Sequence, residues 1–214
     1  MHATPYTVSD VMTRDVAAVG RDAAFKEIVR TMQERRVSAL PVVADEGRVA
    51  GVVSEADLLP KEEFRDSDPD RRTQLRRLPD LAKAGALTAG ELMTAPAVTV
   101  RAEATLAQAA RIMARSGVKR LPVVDDAGAL CGIVSRADLL KVFLRGDEEI
   151  AAEVRRDVLP HVFRQDAGDD VRVEVREGVV TLGGRIRDTS LVPVAARLTR
   201  AVEGVVDVRF DLSG

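Results

Sequence analysis

The chain has 214 residues and a formal net charge of -2, room for one large domain or two to three small ones. Acidic and basic residues nearly cancel, so no long-range field draws nucleic acid onto the protein, and a nucleic-acid partner is not expected. With 46% hydrophobic residues, 3% aromatics and no Trp, the core must come from Val, Leu, Ile, Ala and Met, and no apolar run approaches the ~18 residues needed to span a bilayer. The single cysteine, Cys131, excludes an intramolecular disulfide. In the run Leu130-Cys131-Gly132-Ile133-Val134 it reads as a small buried hydrophobe with an inert thiol. Residues 1–10 have neither the basic nor the apolar segment of a signal peptide, so the expected compartment is the cytoplasm.

Sliding the sequence on itself by about 81 positions aligns residues 10–59 with 91–140 without a gap, and roughly 40% of the pairs are identical. Met12-Thr13 matches Met93-Thr94, and Leu40-Pro41-Val42-Val43 matches Leu121-Pro122-Val123-Val124. Gly51 matches Gly132, and Ser54, Ala56, Asp57, Leu58 and Leu59 match Ser135, Ala137, Asp138, Leu139 and Leu140. Each copy opens with a short strand, near 16–19 or 98–100. A helix follows from about Asp22 or Glu103, where an acidic residue suits the helix dipole. Phe25, Ile28, Val29 and Met32 give the first helix an apolar face, and Leu106, Ala109, Ala110 and Met113 give the second one. The next strand contains Pro41 or Pro122, and proline predicts a strand start or an edge there. Gly47 and Gly128 supply positive φ in the following turn. A further strand, 49–53 or 130–134, leads into a helix opening at Ser54 or Ser135. A copy of about 50 residues is too small to stabilise itself well, so two copies packed sheet against sheet around a shared core are expected. The charged linker, 61–86, predicts a loop over 61–72 and a short helix over 74–84 interrupted near Pro79. Its Arg71, Arg72, Arg76 and Arg77 read as solvated charge rather than as phosphate ligands.

Beyond Gly146 the pattern changes. Residues 147–159 form an amphipathic helix with Ile150, Val154, Val158 and Leu159 on one side. Val171, Val173 and Val175 alternate with polar residues as a half-buried strand, and Glu177-Gly178 turns into a strand over 179–186. Gly183-Gly184 implies a bulge or a close packing contact. A helix over 189–202 turns Leu191, Ala195, Leu198 and Val202 inward, and a last strand carries Val206, Val208 and Phe210. Helices on one face of a short antiparallel sheet are expected.

The doubled motifs, Met-Thr, then Leu-Pro-Val-Val, then Gly-x-x-Ser-x-x-Asp-Leu-Leu, resemble the cystathionine β-synthase (CBS) domain, which occurs as tandem pairs. The resemblance implies an α+β fold, a pseudo-twofold pair of CBS domains at 7–60 and 87–145 around the 61–86 linker. It also implies binding of an adenosine-containing ligand (AMP, ADP, ATP or similar) in clefts between strands, and a homodimer through the CBS pair. Asp57 and Asp138 then hold the ribose position, and a carboxylate at a helix head is chemically able to accept ribose hydroxyls. Ser54 and Ser135 stand where a hydroxyl and backbone N–H groups meet phosphate. Lys119 and Arg120 offer cations to a phosphate tail. Val37, Val118 and Ile133 flank the base, and Thr99 stands beside the adenine. The same Ser-x-x-Asp residues also spell a helix capping box, which needs no ligand. Since the first copy has Ser38-Ala39 where the second has Lys119-Arg120, the cleft using Asp138 is expected to bind phosphorylated adenosine more tightly.

Residues 147–213 resemble the BON domain through Val-x-Val-x-Val, Glu-Gly-Val-Val-Thr-Leu-Gly-Gly and Val-Glu-Gly-Val-Val-Asp-Val. That family is associated with phospholipid surfaces. Here Asp166, Asp169 and Asp170 oppose anionic lipid, and no basic amphipathic helix is present, so a protein-facing role is expected. His2 and His161 belong to no metal pattern, and neither a nucleophile elbow nor a phosphate-binding loop occurs. No catalytic residue, metal or cofactor is expected. The reading is a non-enzymatic sensor whose CBS pair binds the adenosine ligand and modulates an unknown protein partner or the BON domain. The alternative is a ligand-free structural adaptor or stress protein acting through the BON domain, with a phospholipid surface as one place for it to act.

Overall fold

A computed structural model describes residues 6–65, 77–163 and 170–213. His2, the linker arginines Arg71, Arg72 and Arg76, and Asp166 and Asp169 lie outside them. The chain divides into two compact units, one over residues 8–135 and one formed by residues 1–7 with 136–214.

In the first unit the order is α1 (Val8–Val11), β1 (Val19–Gly20), α2 (Phe25–Arg35), β2 (Ala39–Val43), β3 (Val49–Ser54), α3 (Glu55–Leu58) and α4 (Pro60–Glu63). Then come α5 (Leu78–Gly85), α6 (Ala89–Leu92), β4 (Val100–Arg101), α7 (Leu106–Ser116), β5 (Arg120–Val124) and β6 (Leu130–Ser135). Each copy builds a three-stranded sheet, β1-β2-β3 or β4-β5-β6, with the first pair parallel and the second antiparallel. The fold is therefore α+β, and the two copies form a pseudo-twofold pair.

The pairing device is an exchange of leading segments. Val8 and Ser9 donate to the carbonyls of Ala104 and Ala102, while Ala89 and Gly90 donate to those of Ala23 and Arg21. Thr94 trades both backbone hydrogen bonds with Val52, and Thr13 does the same with Ile133. The Thr of each Met-Thr dipeptide thus forms a single antiparallel β-bridge to the edge of the other copy's sheet. Gly51 and Gly132 are required by it, since a Cβ there would lie 2.6 Å from Met93 Sδ or 2.5 Å from Met12 Sδ. The first copy's core of Val19, Ile28, Met32, Leu40, Val42 and Val53 is completed by Ala86, Ala89 and Leu92. Complete burial of Leu92 contributes about 1.5–3 kcal/mol.

Pro41 and Pro122 lie within central strands, not at a start or an edge. The reason is register. Pro41 faces Val52 and Pro122 faces Ile133, and these partners spend both backbone groups on Thr94 and Thr13. The prolines therefore stand at non-hydrogen-bonded sites of the hairpin, where the partner strand is owed no N–H. The first helices begin at Phe25 and Leu106, later than Asp22 and Glu103. Thr105 caps the second one reciprocally with Gln108, while Ala24 offers the first no side-chain cap. Ala110 is exposed, and Ala109 takes the buried place beside Leu106 and Met113. Gly47 and Gly128 do adopt positive φ. In the linker, Pro79 starts α5 instead of interrupting it, because the first turn needs no N–H from that residue. Residues 74–76 lie outside the described range.

The second unit opens with α8 (Arg136–Leu140) and a 3-10 turn (Lys141–Leu144). A long helix follows, made of α9 (Asp147–Glu153), a π-helical stretch (Val154–Val158) and α10 (Leu159–Val162). Pro160 lacks an N–H and its ring crowds the carbonyl four residues back, which accounts for the wider turn. The remaining elements are β7 (Asp170–Arg176), β8 (Val179–Arg185), α11 (Val192–Arg200) and β9 (Asp207–Ser213). β7 and β8 are antiparallel, but β8 and β9 are parallel, so the sheet is mixed and not purely antiparallel. A helix between β8 and β9 makes a crossover, and crossovers join parallel strands. Gly184 lies in regular register with φ 126, and a Cβ on it would come 2.0 Å from the Asp170 carbonyl. Close approach, not a bulge, explains that glycine. The core is Ile150, Val154 and Val158 from the long helix against Val173, Val180, Leu182 and Ala195. Asp147 accepts the Glu177 and Gly178 N–H groups at 2.9 Å and so ties the helix head to the hairpin turn. Arg145 donates to Glu149, Glu153 and the Glu203 carbonyl. Burial pushes the nearby Glu203 carboxyl up, against the pull of Arg145.

The candidate ligand cleft of the first copy

Ser54 ends β3 with extended backbone and caps α3. Three residues on, Asp57 returns the bond: its Oδ2 accepts from the Ser54 N–H at 2.8 Å and from the Ser54 hydroxyl at 2.7 Å. The capping box read in the sequence is therefore formed. It uses only one carboxylate oxygen. The other, Oδ1, faces residues far off in sequence: the Lys83 ammonium in an ion pair and the Thr94 hydroxyl at 3.5 Å. Asp57 is only 8% exposed, so its charge is held by these donors and not by bulk water.

Between the end of α2 and the start of α3 opens a cleft of about 420 Å³, lined on the α3 side by Glu55 and Leu58 and not by Asp57, within the size range of small-molecule sites. Val29, Met32, Val37 and Leu58 form its apolar wall, and Gln33, Arg36, Ser38 and Glu55 its polar rim. Arg36 holds φ 53 and ψ 46 at the C-terminal end of α2, where the second copy has Gly117. Ser38 accepts a hydrogen bond from Arg120 Nη2 at 2.7 Å.

The other expected residues are distributed as follows. Arg120 lies directly opposite Ser135 across the β5–β6 hairpin, and Ile133 opposite Pro122. Thr99 is half-buried just ahead of β4, Val118 is half-buried after Gly117, and Lys119 is exposed. Asp138 belongs to α8 of the second unit and pairs there with Lys141 at 2.7 Å. Two of the cations have partners in the first copy. Arg120 reaches Ser38 of the first copy, and Asp57 has acquired Lys83. Arg77 is spent on Glu63 and Asp80 and stacks over Phe64 at 4.9 Å, a structural role. Cys131 is half-buried, and burial with nearby Asp125 and Glu103 pushes its thiol up, in keeping with an inert group.

Lys83, Thr94, Ser38 and Arg36 did not emerge from sequence as contributors. Thr94 had a trace, since Met-Thr recurs in both copies. Lys83 had none: it lies 26 positions from Asp57 in a segment with no counterpart in the repeat. Among the described residues, no group of three His, Cys, Asp or Glu side chains is placed to hold a metal, and no helix is long and apolar enough to cross a membrane.

The CBS domain family model matches residues 8–61 and 89–145, and the BON domain model matches residues 146–213. Among solved structures, CBSX2 of Arabidopsis thaliana in complex with AMP is 33% identical, covers 65% of this chain and 97% of its own, and superposes with a TM-score of 0.56. Over its full chloroplastic sequence, CBSX2 is 32% identical across 155 residues, and the match takes in 64% of its length. An uncharacterized protein of Methanocaldococcus jannaschii, MJ1426, is 28% identical over 64% of this chain and 90% of its own.

Proposed function

The chain belongs to the CBS-domain family and carries a BON domain at its C-terminal end; from that premise we propose that it is a non-enzymatic regulatory protein whose first CBS copy binds an adenosine-containing nucleotide. The observation that carries the reading is Asp57. Its carboxylate is oriented through one oxygen by Ser54 and directs the other at polar groups from outside its helix, while its helix neighbours Glu55 and Leu58 line a cleft with an apolar wall. A fixed acceptor on a helix that borders an apolar slot suits a ribose diol and a base. Arg120 at Ser38, Arg36 on the rim and Lys83 at Asp57 bring cations for a phosphate. CBSX2, solved with AMP, shares one third of its residues with this region, which supports the same ligand class here. Thr99, Val118, Lys119, Ile133, Ser135 and Asp138 are the corresponding set for the second copy.

Binding shifts the population of states offered to a protein partner or to the BON domain, as differential affinity requires. Homodimerisation through the CBS pair belongs to the same proposal. A thermal-shift screen of the full chain against AMP, ADP, ATP and S-adenosylmethionine tests it. At a hundredfold excess over Kd, a ligand of the folded state stabilises by about 2.7 kcal/mol, and Tm should rise by several degrees. A Tm that none of the four moves would favour the ligand-free adaptor.

A further inference from the structure

We propose that the open face of the C-terminal sheet binds the same face of a second copy of this chain, through charges that oppose one another rung by rung. Register defines the face. On β7, Val171, Val173 and Val175 turn to the core, so Asp170, Arg172, Glu174 and Arg176 turn to the other side, and all four are exposed. Their Cα partners on β8 are Arg185, Gly183, Thr181 and Val179, which pair in turn with Ser213, Asp211, Arg209 and Asp207 of β9. Signs alternate along both outer strands and oppose across three rungs: Arg172 with Asp211, Glu174 with Arg209, and Arg176 with Asp207. The members of each rung stand roughly 10 Å apart, two strand spacings. Between them the half-buried Gly183, Thr181 and Val179 leave a trough along β8. Among the described residues, the only ion pair these six make is Arg172 with Asp170, at 4.0 Å and with both side chains more than three-quarters exposed. Arg172, Arg176, Arg185 and Arg209 balance Asp170, Glu174, Asp207 and Asp211, so the face offers no field to an anionic membrane or a polynucleotide.

Such a face is its own complement. A twofold axis laid along β8 sets β7 of one copy over β9 of the other. Arg172 then faces Asp211 of the second copy, Glu174 faces Arg209, and Arg176 faces Asp207, each twice by symmetry. Sheets stacked face to face lie about 10 Å apart with their strands nearly aligned, a gap that an arginine and a carboxylate bridge together. The first rung departs from the rule. Arg185 meets its own copy on the axis, and Asp170, its Cα partner on the same rung, supplies the opposite charge. Exposed ion pairs are weak one by one, so the association should be reversible on dilution and screened by salt. It is independent of the nucleotide reading and uses no residue of the CBS pair.

Sedimentation of the full chain over a concentration series, at about 0.05 M and about 0.5 M salt, tests this. Wild type should show one doubling of mass that the higher salt reverses. Arg172→Asp should raise the dissociation constant of that step at least about tenfold, because it sets like charges face to face. Combining Arg172→Asp with Asp211→Arg should restore the step, since the exchanged pair faces itself across the axis. Combining Arg172→Asp with Asp207→Arg gives the same net charge and should not restore it, since like charges then meet on two rungs. A doubling that neither salt nor Arg172→Asp alters belongs to another surface, such as the CBS pair, and overturns the proposal. Equal rescue by the two exchanges would reduce the effect to net charge and overturn it as well. So would a wild type whose mass responds to neither concentration nor salt.

Discussion

The two CBS copies share a backbone plan and differ in what surrounds it. Both use Ser-x-x-Asp, both dock their Met-Thr on the other's sheet, and both place a proline opposite the docked residue. Yet Asp57 is paired by a lysine from the linker and Asp138 by Lys141 at the start of the 3-10 turn that follows its helix. The first helix of copy one has no side-chain cap and ends on a left-handed Arg36, while that of copy two has a reciprocal Thr105–Gln108 cap and ends on Gly117. Repetition thus fixes the scaffold, and residues outside the repeat, or at its variable positions, decide the chemistry. The copy with the less favourable helix ends is also one that carries a cleft, between α2 and α3.

The exchange of leading segments is the sharpest place to break that comparison. Alanine at Gly51 would put a Cβ 2.9 Å from the Thr94 carbonyl as well as 2.6 Å from Met93 Sδ. At Gly132 the Met12 sulfur is as close, but the Thr13 carbonyl is 3.2 Å away. A methionine end can swing aside and a backbone carbonyl cannot. Both substitutions should cost about 1–3 kcal/mol, Gly51→Ala more than Gly132→Ala, as read from urea midpoints. The reverse order would mean that the two docking sites are not built as described.

The helix ends give smaller effects of opposite sign. Thr105→Ala should cost about 1 kcal/mol by removing the cap. Arg36→Gly should gain about 0.5–1 kcal/mol, because relief of the left-handed backbone outweighs the added freedom of the unfolded chain. Thermal unfolding of both variants checks the contrast. If Arg36→Gly lowers Tm, then Arg36 makes a contact that its exposure conceals, and the first copy is not the poorly terminated one.

Much of this was legible in the sequence because it is local or periodic. The repeat, the hairpins with Gly47 and Gly128, the capping box at Ser54, the inward faces around Ile28 and Ile150 and the glycine at 184 all follow from spacing and backbone preference. What was not legible depends on distant partners. Pro41 looked like an edge residue because nothing local reveals that Val52 gives its backbone groups to Thr94. The mixed sheet of the second unit depends on the helix before β9 acting as a crossover, which alternation of apolar residues along a strand does not reveal. Lys83 carried no local signal, since its carboxylate is 26 positions upstream. The Arg120 contact with Ser38, 82 positions away, is equally invisible to local spacing.

The central claim, that the first copy carries the nucleotide site, is tested most directly by AMP calorimetry on Asp57→Ala and Asp138→Ala in the full chain. Loss of a charge-assisted ribose contact is worth about 1.5–3 kcal/mol, so the account predicts that Asp57→Ala weakens the tightest site by about ten- to a hundredfold while Asp138→Ala leaves it in place. A tight site that survives Asp57→Ala and disappears with Asp138→Ala would contradict it.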